Sequence, residues 1–195
     1  ADIATVTLRT PYADPMASLR TPSFARPTDT IGIVVAYGDD SRQPAGPTAV
    51  VVGLPHDGGA LTSTFVSATP RHGETLYYAS TTVGTTPAFD PNDPAAGGWV
   101  STPSALTGPV THLAIYTPAI AGGERRELVL RTNFVSPDGD LAPAGSHHDV
   151  CVDVLLLGQE DEKLGNNGEC KDIPIPNGNL TASLIGTPSG TAPGV

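Results

Sequence analysis

Oxygen-rich turns are the part of this sequence best suited to chemistry. Asp138-Gly139-Asp140 makes a compact acidic turn, and Glu160-Asp161-Glu162 is followed by Asn166, Asn167 and Glu169. Calcium takes ~6–8 oxygens from carboxylates, side-chain amides and loop carbonyls. Asp138, Asp140, Glu160, Asp161, Asn166 and Asn167 are therefore the candidate calcium ligands. Neither group has the spacing of an EF-hand loop. Turns also select Asp, Asn and Gly for backbone reasons alone, and solvated acidic loops are the preferred reading over a calcium site.

Other reactive patterns are thin. His147-His148-Asp149 is the tightest histidine group, but neighbours on a strand point to opposite faces, which sets the two rings against sharing one metal. No Gly-x-Ser-x-Gly elbow occurs. One Trp and five Tyr leave few platforms for a carboxylate pair acting on sugars. The only lysines, Lys163 and Lys171, come late, whereas an intramolecular isopeptide usually draws its lysine from an early strand. The chain reads as non-enzymatic. Cys151 and Cys170 belong to no CxxC pair and point to a disulfide formed in an oxidising compartment, two unpaired buried thiols being the other reading.

Composition narrows the class further. Twenty acidic against ten basic residues give a net charge of −10, which disfavours nucleic acid and anionic membrane as partners. No apolar run approaches the ~20 residues of a membrane span. With 22 Gly and 20 Pro, long helices have no uninterrupted stretch in which to form.

The elements that must position these residues are strands. Alternation of period two recurs at residues 4–8, where Ala4, Val6 and Leu8 share a face, and at 31–37, 49–54, 65–68, 76–79, 110–116, 127–135 and 150–157. A weaker final strand is expected at 171–175. Residues 10–28 are Pro-rich and read as connection, and residues 85–98 read as a long loop ending at Trp99. Eight or nine short strands predict an all-β, antiparallel Ig-like β-sandwich over residues 1–176. Residues 177–195 form a Gly/Pro/Thr-rich tail in which Leu180, Ala182 and Leu184 alternate, a segment able to extend a neighbour's sheet edge. Asn179 opens an N-glycosylation sequon, and Thr81-Thr82 and Thr85-Thr86 are possible O-glycan carriers.

Ala1-Asp2-Ile3, Pro27-Thr28-Asp29-Thr30-Ile31, Leu54-Pro55, the run Phe-Val-Ser-Ala-Thr-Pro at 65–70, Trp99, Ala121-Gly122-Gly123-Glu124, and Glu160-Asp161-Glu162 with Asn166-Asn167 follow one another along the chain. That order resembles the Ig-like "conserved repeat" family of bacterial and archaeal surface proteins, also called domain of unknown function eleven. The paired Asn after acidic residues is also similar to the cell-adhesion-related bacterial domain. The resemblance implies an extracellular structural or adhesive module with no catalytic residues to carry over. The Pro-rich stretch and the 85–98 loop are longer than the family pattern, and the cysteine pair is not a general feature of it.

Two functions follow as expectations. The first is a secreted or cell-surface structural protein, read as a mature chain after signal removal, that forms homo-oligomers or a filament or layer. Its contacts would be non-covalent, through Ala4, Val6 and Leu8 or through Leu180, Ala182 and Leu184. The alternative is a monomeric adhesin or carbohydrate-binding module using Tyr77, Tyr78 and Trp99 to stack on glycans.

Overall fold

Valine-rich alternation builds the body of the molecule, which a computed structural model describes over residues 12–26, 29–54, 62–81, 85–135 and 147–174. Nine strands run through these residues: β1 (Pro15–Arg20), β2 (Thr30–Asp39), β3 (Thr48–Gly53), β4 (Thr62–Thr69), β5 (Thr75–Ala79), β6 (His112–Thr117), β7 (Arg125–Val135), β8 (His147–Leu156) and β9 (Gly168–Pro174). They form two antiparallel sheets, one in the order β1-β2-β7-β4 and the other β5-β6-β3-β8-β9. The all-β sandwich is therefore as expected from the alternation. The expected strand at 4–8, the acidic turn of Asp138 and Asp140, Asn179, and Leu180, Ala182 and Leu184 in the tail all lie outside the described residues.

The core is what the alternation dictates. Ile33, Val35 and Tyr37 of β2 and Leu128 and Leu130 of β7 face Val50, Val52, Leu113, Ile115, Val150 and Val152 across the sandwich, all 0–1% exposed. Each such aliphatic chain contributes about 1.5–3 kcal/mol on burial. β3 departs from alternation because it is buried on both faces. Ala49 and Val51 point outward, yet Phe89 and Trp99 from the 85–110 segment cover them together with Ala79 and Ala114. A continuous apolar run is the signature of such a strand.

One strand was not expected. β1 lies inside the Pro-rich stretch read as connection, pairing with β2 from Pro15↔Asp39 to Arg20↔Val34. Its buried positions are Pro15, Ala17 and Leu19, so only one large apolar residue marks the inward face, and proline stands at the first position, where an edge strand tolerates it. β9 also begins earlier than expected, at Gly168 rather than Lys171.

The two sides of the sandwich are closed differently. On one side β1 meets β9: Leu19 N donates to Glu169 Oε2 at 2.8 Å and Ala25 N to Pro174 O at 3.1 Å. On the other, β4 passes into β5 through a turn organised by Glu74. Its Oε2 accepts from Arg71 N at 3.0 Å and His72 N at 2.7 Å, while its Oε1 accepts from the buried Tyr37 Oη at 2.5 Å. Gly73 holds φ at 79°, a left-handed conformation in which a Cβ is strained.

Burial alone would raise the Glu74 pKa, but the bonds from Tyr37 and from the backbone at His72, Glu74 and Arg71 outweigh it and hold the carboxyl below its ordinary 4.5. Glu124 is lowered by Arg126 and the Ala121 N–H, and Glu169 by Lys171 and the Leu19 N–H. These carboxylates take up protons more readily when unfolded. Their stabilisation is complete above about pH 4.5 and is lost as pH falls through the lowered folded values. Denaturant unfolding measured from pH 7 to pH 3 should show that acid-side loss, and Glu74→Gln should flatten it. An unchanged acid limb in the variant would contradict this role for Glu74.

Candidate assembly edge and oxygen-lined junction

β4 is a bare edge. It pairs with β7 on one side, and no backbone hydrogen bond reaches its other side among the described residues. The remaining edges have contacts: Leu19 N of β1 donates to the Glu169 side chain of β9, Pro174 O of β9 accepts from Ala25 N, and β5 exchanges two hydrogen bonds with Val100, Tyr78 N to Val100 O at 2.8 Å and Val100 N to Tyr78 O at 2.9 Å. Edge strands are commonly protected by charges or proline, yet Thr-Ser-Thr-Phe-Val-Ser-Ala-Thr has neither. Its one protective device is a bulge between Phe65 and Ser67, which leaves Val66 45% exposed. Behind the edge, Phe65 packs edge-on to Tyr78 at 5.2 Å, and the buried hydroxyls of Ser63 and Thr132 have no hydrogen-bond partner.

At the end of the sandwich where β1 begins and β2 finishes, polar groups from three distant segments meet. Asp14 and Asp39 are buried, 2% and 0% exposed. Asp39 Oδ1 accepts from Asp14 N at 3.1 Å and from Ser41 N at 2.8 Å. The Asp14 carboxylate accepts from Lys163 Nζ at 2.9 Å and from Asn166 Nδ2 at 2.8 Å. Asp161 bridges alongside Ala13 and accepts from Asn167 Nδ2 at 2.6 Å and from Lys163 N at 2.9 Å. The structure thus unites three of the candidate calcium ligands, Asp161, Asn166 and Asn167. It adds Asp14 and Asp39, which the sequence did not single out. Glu160 stands apart, exposed, lining a shallow groove with Tyr12 and Gln43.

The Lys163 amine is near an early carboxyl after all, and forms an ion pair with Asp14 at 2.9 Å.

The loop that presents these residues is closed by the expected disulfide. Cys151 and Cys170 lie directly opposite each other in β8 and β9 and are bonded, 19 residues apart. His147 and His148 open β8 rather than preceding it. Beside the disulfide a groove of about 350 Å³ is lined by Gly53, His112, Asp149 and Asp153. His112 Nδ1 lies 3.0 Å from Thr111 Oγ1 and 3.2 Å from Thr81 Oγ1.

The aromatic residues considered for glycan stacking are placed otherwise. Trp99 is 2% and Tyr78 7% exposed, and Tyr77 is half-buried against Phe89 at 5.3 Å. Phe89 in turn meets Trp99 edge-on at 5.6 Å, and Trp99 Nε1 donates to Ala88 O at 2.8 Å. A side chain at Gly97 would collide with that same carbonyl. The 85–98 loop is a lid on the outer sheet face and its aromatics are core. The Asp90-Pro91-Asn92-Asp93 segment is turn chemistry, Asn92 N donating to Asp90 Oδ1 at 2.8 Å.

Together these features define a two-layer β-sandwich in which the outer side of β4 has no backbone partner among the described residues. No protein-family model matches the sequence, and no curated protein matches it. Among solved structures it is similar to the CARDB domain of a Pyrococcus furiosus protein in complex with di-metal ions, at 8% identity and a TM-score of 0.45 over 90% of this chain and 100% of that one. It is also similar to a cohesin module of a Clostridium perfringens family 33 glycoside hydrolase, at 11% identity and 0.39 over 85% and 98%. A third is AvmM, which catalyses macrocyclization in alchivemycin A biosynthesis, at 14% identity and 0.37 over 87% and 93%. At such scores the likenesses fix neither a ligand nor a reaction for this chain. No helix among the described residues is long and apolar enough to cross a membrane.

Proposed function

We propose that this chain is a non-enzymatic structural subunit of a cell-surface filament or layer, joined non-covalently by strand addition at β4. The observation that carries the reading is the β4 edge itself: uncharged, without proline, and without a backbone hydrogen bond on its outer side among the described residues. A terminal segment of a second copy is the occupant that fits. Either Ala4, Val6 and Leu8 or Leu180, Ala182 and Leu184 would turn one apolar face inward while the backbone completes the ladder. Each Leu or Val fully buried would contribute about 1.5–3 kcal/mol. The disulfide supports an oxidising, extracellular setting. The adhesin alternative loses its aromatic platform, because Trp99 and Tyr78 are core.

Removing residues 1–11 and residues 177–195 in separate variants tests the reading. Sedimentation should show assembly of the full chain and loss of it in one of the two truncations. Assembly of both truncations like the full chain would rule out a terminal strand as the link.

A further inference from the structure

Three buried oxygens at the end of the sandwich are acceptors with nothing to accept from: Asp39 Oδ2, Asn166 Oδ1 and Asn167 Oδ1. A buried acceptor left unpaired is costly, and three from segments joined by hydrogen bonds form a pattern. The shortage is entirely of positive charge or donors. The formal charge has the same sign, Asp14, Asp39 and Asp161 contributing −3 against the single +1 of Lys163. Asp39 weighs most here. It is 0% exposed, its carboxylate is turned toward the Asp14 backbone by a 3.1 Å bond to one oxygen, and its other oxygen has no partner.

We propose that this junction binds a calcium ion, held by Asp14, Asp39 and Asn166 with Asn167 and Asp161 beside them. Among the described residues no group of three His, Cys, Asp or Glu is placed to hold a metal ion, so Asp14 and Asp39 are the carboxylates of the set, Asp161 stands outside it, and amide oxygens must complete it. That favours calcium over zinc or other ions that prefer nitrogen and sulfur. Lys163 is the stand-in cation. Its side chain is 65% exposed, so it can leave Asp14 without breaking packing when a divalent ion arrives. The ion would join the chain ahead of β1, the end of β2 and the disulfide-closed loop, segments as far as 152 residues apart in sequence. It would thereby fix the point from which residues 1–11 leave the body. With this ligand set the affinity expected is that of extracellular modules, Kd about 10⁻⁴–10⁻³ M.

The test is calorimetric titration of the full chain, stripped with chelator, with CaCl₂ and with MgCl₂, alongside thermal melts. One calcium per chain should bind, and at tenfold excess over Kd the melting temperature should rise by about 3–6 °C. Magnesium should bind more weakly because it demands a tighter octahedron. Lys163→Gln removes the competing ammonium and should tighten calcium binding about fivefold, while Asp39→Asn should abolish it. Lys163 is exposed, so its variant keeps the test decisive where Asp39→Asn fails to fold. No calcium-dependent heat or melting shift would overturn the proposal and leave the oxygens to ordered water. Equal responses to both ions, or Lys163→Gln binding no more tightly than the parent, would also overturn it. The outcome is independent of whether the chain assembles through β4.

Discussion

Trp99→Ala should destabilise the fold by about 3–5 kcal/mol, the range for truncating a large buried aromatic. Its indole fills the space over Ala49, Val51 and Ala114. Phe89, which meets Trp99 edge-on, stays held by Tyr77 and Tyr116 when the indole is removed. The Ala88 carbonyl would also lose the indole N–H that it accepts. Denaturant unfolding measures the loss, and a glycan-binding assay on the same variant separates the two roles given to this residue. A stacking platform would lose binding with little change in stability. A core residue loses stability first, and the structure places Trp99 in that second class. A loss below about 1 kcal/mol would contradict it.

Opening the Cys151–Cys170 bridge by Ser substitution at both positions should cost about 3 kcal/mol, the loop-closure value for a ring of this size. For a domain of this length that lowers the melting temperature by about 6–12 °C. The effect should be uneven across the molecule. The bridge closes the loop carrying Asp161, Lys163, Asn166 and Asn167, and β9 holds β1 through Glu169. Hydrogen exchange should therefore speed up in β9, in that loop and in β1 before it changes in the β2–β7 pair, whose buried aliphatics do not depend on it. Uniform acceleration across both sheets would contradict this local dependence.

How much of this was legible in the sequence follows from where each signal lies. Val150, Val152 and Val154 alternate with Cys151 and Asp153, and β8 shows that pattern, the valines buried and Asp153 exposed. β1 was missed because only Leu19 of its inward positions is a large apolar residue, Pro15 and Ala17 marking no face between flanking prolines. Asp161, Asn166 and Asn167 were visible because they crowd one loop. Asp14 and Asp39 were not, since only the β1–β2 register, with Pro15 opposite Asp39, brings them together. Nothing local to either aspartate announces burial. Trp99 was visible as a landmark, but its surroundings depend on a loop folding back over a sheet, which no period in the sequence encodes. The bare edge of β4 is a property of topology: its residues read as a strand whether a neighbour lies on one side or two.

Electron microscopy of the full chain beside Val66→Lys tests strand addition at β4 most directly. Val66 is exposed at the bulge, so a lysine there leaves the core intact while placing a charge where an added strand would lie. Ordered fibres or sheets from the parent and dispersed single particles from the variant are the predicted result. Fibres of the same form from both, or single particles from both, would contradict it.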